Sequence, residues 1–548
     1  MNDTTQLNQE ELIINADCIL RSLRMSGGVL RLVYDLTGSE WQYVETVLDF
    51  RTPLAEEAES HRFHTDRNKA AGNARRIAVS LDLKSIQWKS LYWDPRVIVK
   101  NRDTGVTGAV FIAMDALTRM FHRFLYTGHF PGEEGFSLYP YYTGSQRLAL
   151  VYRAHSRYDG LDIVYKEMLA AFLYRISKPY WKKKHICLVN EKFSELAQDN
   201  GYYFFKHCME KNEEKRLGKK IYYIITRDAP DRKKLEDYRD HLVDFMSLRH
   251  MLYLQAADLI VSTDSKYHSY ALQARHSIFN RYIKKIPLVF LQHGVTALKR
   301  VDFFYGKGKR GSCEQFVVTS DFEKQIVLDN FGYEPEEVIN TGFARWDVLE
   351  DHSQGNRELL IMPSWRNWLD AVPDKDFEES EYFRRYMELL NSRRFAEILD
   401  KYNLRVNFYL HAKFRAYIDT FRSVNPRIRL ISFSETAVNE LLMQCRMLVT
   451  DYSSVCWDVL YQDKPTLFYQ FDLDKYEEAH GSYLDMRKDL FGDRAETLEL
   501  LLDLLEEQVK NDFKMKPEYE AMRKNFFKYI DHNHSQRICD AIQKRFHS

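Results

Sequence analysis

The sequence has 548 residues, 45% hydrophobic and 29% charged, which is too long for one hydrophobic core and too apolar for extended disorder, so two or three globular domains are expected. Lys+Arg and Asp+Glu both number 79, which excludes the global positive field that holds nucleic acid by neutralising phosphates. Cysteines 18, 187, 208, 313, 445, 456 and 539 show no close pairing or metal-ligand spacing, the N-terminus is polar, and no apolar run nears the ~18–20 residues of a spanning helix. Reduced thiols, no zinc site, no secretion and no membrane crossing are therefore expected.

From about residue 27 to 155, short runs alternate apolar and polar residues, as at 29–34, 77–83, 96–100, 110–114 and 147–153. Turn-forming segments at 26–28 and 142–145 separate some of them, so residues 1–155 are expected to form a β-rich accessory domain without a catalytic constellation. The period then changes. Leu161, Val164, Tyr165, Met168, Leu169, Phe172 and Ile176 fall on one helical face, Pro179 is expected to stop the helix, and Trp181-Lys182-Lys183-Lys184 comes next. Such a stripe suits either an anionic bilayer surface, where each lysine adds about 1 kcal/mol, or an interdomain helix with a solvated basic end.

Beyond residue 184 the chain alternates strand and helix. Strands are expected at 186–190, 221–226, 257–262, 287–292 and 315–320, with helices at 235–251 and 322–331. A second series of strands at 359–362, 406–410, 428–431, 447–450 and 466–469 leads into largely helical sequence. The expected class is α/β, with two Rossmann-like domains at 156–350 and 351–548 and a cleft between them.

Ligands of parallel sheets gather at the carboxyl ends of the strands. Asp451-Tyr452-Ser453-Ser454 comes after one such strand and opens a helix; it suits a diphosphate or simple N-capping. His293-Gly294, with Lys299 and Arg300 behind, ends another strand. His293 is a candidate general base or a packed or merely polar histidine. His411, with Lys413 and Arg415 behind it, repeats the arrangement. Ser364-Trp365-Arg366 adds a hydroxyl and a guanidinium at the same edge, Arg being a natural fork for phosphate oxygens and Trp365 equally a packing residue. Tyr333, Thr341-Gly342, Arg345 and Asp347 read as fixing the interdomain junction rather than as catalysts.

In this order, Gln292-His293-Gly294 with Leu298-Lys299, Phe331-Gly332-Tyr333, Thr341 to Asp347, Pro363 to Arg366, Val449 to Ser454, Trp457-Asp458 and Lys464-Pro465 resemble the CDP-glycerol glycerophosphotransferase family of teichoic-acid and capsule polymerases. The resemblance covers roughly residues 185–545. It implies a GT-B pair of domains, with the acceptor handled by the first and the cytidine nucleotide by the second. It also implies His293 as the base that activates an acceptor hydroxyl, Ser453 and Ser454 at the pyrophosphate, and His411, Ser364, Arg366 and Asp451 around the same anion. The function it implies is transfer of glycerol phosphate from CDP-glycerol to a lipid-linked or polymeric phosphate acceptor, with CMP released and no metal or cofactor. CDP-ribitol as donor, or a GT-B glycosyltransferase using a nucleotide sugar, are the alternatives. The expected setting is cytoplasmic, peripheral on the anionic inner face of the cell membrane. Here the usual family segment Trp-His-Gly-Thr-Pro-Leu-Lys reads Gln-His-Gly-Val-Thr-Ala-Leu-Lys, and His480 stands where an Arg is common.

Overall fold

A computed structural model describes residues 12–13 and 17–546, except 52–57, 125–127, 133–134, 144, 273–276, 370–371, 373 and 433–434, and all element counts refer to the described residues. The chain divides into two compact units, one comprising residues up to Leu169 with Leu272–Asn280, the other Ala170–Ala271 with Arg281–Ser548.

The first unit is built from two sheets. In one, Trp41–Phe50 pairs with Leu91–Asn101, which also pairs with Thr107–Phe111 and Leu148–Ala154. In the other, Cys18–Ser26, Val29–Thr37, Ala74–Asp82 and His64–Ala71 pair antiparallel in that order. Leu20, Leu23, Leu32, Tyr34, Ile77 and Val79 join Val97, Val99, Val110, Leu148 and Leu150 in one buried cluster, as two-residue periodicity requires of inward faces. The expected strand at 110–114 is two strands. Thr107–Phe111 lies in the first sheet and Ala113–Met114 in the second. His64–Ala71 escapes sequence detection because its first seven residues are all exposed; only ladder hydrogen bonds define it.

The helix expected to end at Pro179 runs from Leu161 to Lys182. The missing proline N–H is accommodated by a local distortion at Ser177 (φ −114°, ψ 15°). There the Ser177 hydroxyl donates to the Leu173 carbonyl and accepts the Trp181 indole N–H at 2.8 Å.

The second unit contains two all-parallel sheets. The first has seven strands, which number 3-2-1-4-5-6-7 from Ile186–Asn190 onward. The second, from Glu358–Met362 onward, runs 3-2-1-4-5-6. Both are Rossmann windings, whose ligand crevice lies between strands 1 and 4. The expected helix at 235–251 is instead the 3₁₀ segment Pro230–His241, the edge strand Leu242–Asp244 and the helix Leu248–Ala256 capped by Ser247. Charge-rich sequence before a three-residue strand leaves no period to detect.

The domains are tied at their junction. Asp458 accepts Arg345 Nε and Nη2 at 2.8 and 2.9 Å and Trp346 Nε1 at 2.7 Å, while Arg345 Nη1 reaches Asp199 of the first domain at 3.0 Å. Asp347 caps the last helix by accepting the His534 and Ser535 amides. That helix, His534–Phe546, returns to the first domain, where Cys539 Sγ lies 3.7 Å from Cys208 Sγ. Two Rossmann-like domains joined in this way make a GT-B-type architecture.

One buried group makes stability pH-dependent. His250 is fully buried, its Nδ1 accepts the Met246 amide at 3.0 Å, and burial pushes its imidazole down to about 3. Below its unfolded pKa of about 6.5, the unfolded chain binds a proton that the folded chain refuses. The stability contributed by the neutral ring is thus complete above that pKa and falls as pH drops toward 3. A loss on the order of a few kcal/mol is expected between pH 6.5 and 4, read as a falling urea midpoint whose slope flattens in His250→Asn.

Candidate active site

The carboxyl ends of both sheets meet. In the first domain, the strand Leu288–Phe290 ends in Leu291, Gln292 and His293. Gln292 adopts φ 58°, a conformation disfavoured for a side-chain-bearing residue, and a buried network holds it. Gln292 Nε2 donates to the Val317 carbonyl and to Glu323 at 2.6 and 2.9 Å, and Thr296 Oγ1 donates to Gln292 Oε1 at 2.6 Å. Glu323 also accepts the Thr296 amide at 2.7 Å. Gln292 and Thr296, two of the departures from the usual family segment, therefore satisfy one another and brace the turn. Asn200 anchors the same loop by donating to the Gln292 carbonyl at 2.8 Å.

The turn leaves the His293 side chain exposed with Nδ1 3.2 Å from the Thr263 carbonyl. A carbonyl only accepts, so Nδ1 carries the proton and Nε2 presents its lone pair. Next to Thr263, Asp264 is buried and accepts from Tyr305 Oη at 2.6 Å, with His268 Nδ1 3.1 Å away. Burial alone would raise the Asp264 carboxyl, but the hydrogen bond and charge of His268, the charge of His293 and the Tyr305 hydroxyl bring it far below the ordinary range. A fixed negative charge therefore sits near the His293 loop. Sequence reasoning missed Asp264, His268 and Tyr305; the carboxyl-end rule applied to the strand Leu259–Ser262 points at Thr263-Asp264.

Gly294 shows how closely the two domains approach. A Cβ there would lie 2.0 Å from Ser454 Oγ and 2.8 Å from its Cβ, so only glycine allows the His293 loop to rest on the Asp451–Ser454 loop. Ser454 opens the helix Val455–Tyr461 but makes no side-chain cap, and neither Ser453 nor Ser454 donates its hydroxyl to any other described residue. The simple capping reading is set aside. Gly294→Ala is expected to push the loops apart and lower kcat/KM about 100-fold, with partial recovery in Gly294→Ala/Ser454→Gly; equal activity in wild type and the single variant would refute the close approach.

Arg366 and Asp451 occupy a different place from the one expected. Both side chains are fully buried, Arg366 Nη1 contacts Asp451 Oδ2 at 2.8 Å, and Nε and Nη2 contact Asp472 at 2.8 and 3.0 Å. The guanidinium lies 4.7 Å from the centre of the Tyr452 ring, which stacks on Tyr476 at 3.7 Å. With every nitrogen engaged inside the protein, Arg366 positions Asp451 and presents no free fork. Asp451 in turn accepts the Ser364 amide at 2.8 Å across the strand 1–strand 4 crevice. Ser364 is half-buried, and its hydroxyl has no partner among the described residues. His411 is half-buried at the carboxyl end of strand Arg405–Tyr409, beside strand Glu358–Met362.

His480 is no cationic substitute for arginine. It packs against Tyr476, Trp368 and Trp365 at centroid distances of 4.7, 6.0 and 6.1 Å, and burial, then the charges of Lys299 and Arg366, push it down to about 4. Lys299 Nζ, 5.0 Å from the Trp365 ring centre, and Lys475 Nζ, 5.0 Å from that of Trp368, are cations on this wall. Hydrogen bonds from Tyr483 N to the Ala297 carbonyl at 2.9 Å and from Ser482 Oγ to the same oxygen at 3.1 Å zip the two loops together.

The model of the family described as CDP-Glycerol:Poly(glycerophosphate) glycerophosphotransferase matches residues 172–544. The chain belongs to this glycerophosphotransferase family. Among similar proteins, the minor teichoic acid biosynthesis protein GgaB of Bacillus subtilis (strain 168) is 30% identical over 360 residues, 64% of this chain and 38% of that one. The teichoic acid poly(ribitol-phosphate) polymerase of Bacillus spizizenii is 26% identical over 347 residues, covering 58% and 50%. The chain spans 38%, 50% and 54% of the first three curated relatives it matches. A solved structure of the wall teichoic acid polymerase TagF aligns with 70% of this chain and 98% of that one, at a TM-score of 0.49 and 14% identity. The matched family region contains the whole His293, Ser364, His411 and Ser453-Ser454 constellation and begins after Leu169, where the main segment of the β-rich unit ends.

Proposed function

We propose that the chain is a CDP-glycerol glycerophosphotransferase that extends a teichoic-acid-type phosphate polymer. The observation that carries this reading is the seating of Gly294 on Ser454, which sets an orientated imidazole next to two unengaged hydroxyls at the carboxyl ends of facing Rossmann sheets. His293 Nε2 takes the proton of an acceptor hydroxyl. The resulting oxygen attacks the glycerol-bearing phosphorus, the bond from that phosphorus to the CMP oxygen breaks, and CMP leaves with the electron pair. Ser453, Ser454 and Ser364 donate to the diphosphate, and Lys299 and His411 offset the charge that develops on it. Asp264 places a carboxylate near the base, where it offsets the positive charge the imidazole gains on taking the proton; Asp264→Asn is expected to reduce kcat roughly tenfold with donor KM unchanged.

The deciding assay tracks CMP and acceptor mass with CDP-glycerol, CDP-ribitol and a nucleotide sugar. Acceptor growth in glycerol-phosphate steps supports the reading. Growth only from CDP-ribitol moves the donor, which suits the relatives named as ribitol-phosphate polymerases, and release of a nucleoside diphosphate moves the reaction class.

Among the described residues no helix is long and apolar enough to cross a membrane. The proposed peripheral attachment is supported by the helix Leu161–Lys182, which exposes Tyr165, Met168, Leu169, Phe172, Ile176 and Tyr180 to between 48% and 64% next to Lys183 and Lys184. Aromatic and apolar side chains beside lysines suit an anionic interface. Phe172→Glu/Ile176→Glu is expected to weaken sedimentation with anionic vesicles at least tenfold; unchanged sedimentation would remove this helix from membrane attachment.

A further inference from the structure

The second sheet of the β-rich unit carries positive charge that its folding does not use. Register sets Arg24 directly opposite Arg31, Arg31 opposite Ser80, and Ser80 opposite His64. Farther along, Asp35 stands opposite Arg76 and Arg76 opposite Lys69, while Arg67 stands opposite Ala78. These positions alternate with buried Leu23, Leu30, Leu32, Ile77 and Val79, so they share the outward face.

Arg21 and Arg76 enclose the buried carboxylate of Asp35. The remaining cations, Arg24, Arg31, Arg67 and Lys69, are exposed and pair with no carboxylate among the described residues. Asp66, Asp82 and Asp115 are the other acids at this face; Asp66 accepts the Ser80 hydroxyl, Asp82 caps the adjoining turn, and Asp115 pairs with Arg21 at 2.9 Å. Like charges directly opposite one another weaken a sheet, so the Arg24–Arg31 pair costs stability without a compensating contact. In a chain with equal numbers of acids and bases, that local excess calls for an external anion.

We propose that this face binds a flexible phosphodiester polyanion and so keeps the growing chain close to the enzyme. Identifying that polyanion with the enzyme's own product rests on the proposed function; binding a phosphodiester chain does not. The residues between the cations are Ser22, Val33, Ala78, Ser80 and His64, none of them an aromatic anchor of the kind a bilayer interface favours. Leu117 and Phe121 lie at one margin, lining a 420 Å³ groove with Arg21 and Arg24. The opposed Arg24 and Arg31, about 4.8 Å apart across the strands, with Arg67 and Lys69 on the neighbouring edge strand, suit a chain that carries one charge per repeat and bends freely between charges.

Full-length protein is titrated with synthetic poly(glycerol phosphate), with poly-glutamate and with anionic vesicles at several salt concentrations, beside Arg24→Ser/Arg31→Ser/Lys69→Ser. The variant is expected to bind poly(glycerol phosphate) at least tenfold more weakly, with a log–log salt slope shallower by about 2. CMP release with a one-unit acceptor stays at the wild-type rate, and the KM for long acceptors rises. Unchanged polymer affinity, equal wild-type affinity for poly-glutamate, or a loss seen only with vesicles overturns the proposal. If polymer binding depends on these residues but CDP-glycerol yields no CMP, the proposed reaction fails and the binding face stands.

Discussion

His293→Ala is expected to lower the rate of CMP release by about 10²- to 10⁴-fold, the usual contribution of a positioned general base. The imidazole is exposed and, among the described residues, hydrogen-bonds only through Nδ1 to the Thr263 carbonyl, so its loss should change unfolding free energy by less than about 0.5 kcal/mol. Donor affinity should hardly move, because the base acts on the acceptor hydroxyl. A variant with wild-type kcat would remove His293 from the chemistry. A large fall in both Tm and donor affinity would instead assign it a structural role.

Arg366→Leu is expected to do the opposite, lowering stability first. The guanidinium is the shared counter-charge of Asp451 and Asp472, and removing it leaves two carboxylates buried without a cation. Breaking buried pairs in this way costs about 3–5 kcal/mol, read as a large fall in urea midpoint. Arg366→Leu/Asp472→Asn should recover part of the loss, since one of the orphaned charges is then gone. Activity should fall in parallel, because Asp451 holds the Ser364 amide. A variant of normal stability with only a raised donor KM would restore the direct phosphate contact expected from Arg being a natural phosphate fork.

Much of this protein is legible without coordinates. Apolar runs such as Ile186–Asn190, Met447–Thr450 and Thr466–Tyr469 are buried at every position, and strands buried on both faces announce themselves by composition alone. The segments Gln292 to Gly294 and Asp451 to Ser454 sit directly after such strands, so local sequence together with the carboxyl-end rule points to them as candidate site residues. The hidden features depend on partners far away in the chain. Arg366 reads as a phosphate fork until Asp472, over a hundred residues on, is seen to occupy it. His480 reads as a potential cation until Trp365, Trp368 and Lys299 surround it. Asp264 reads as an ordinary loop acid until Tyr305, His268 and His293 converge on it. The cationic face is invisible in a balanced count of 79 against 79, because only strand register sets Arg24 beside Arg31. Sequence determined which strands form and which turns end them, since burial period and turn chemistry are local. Tertiary structure decided which charges are free, since whether a charged side chain meets a ligand or a counter-ion depends on long-range contacts that no local pattern encodes.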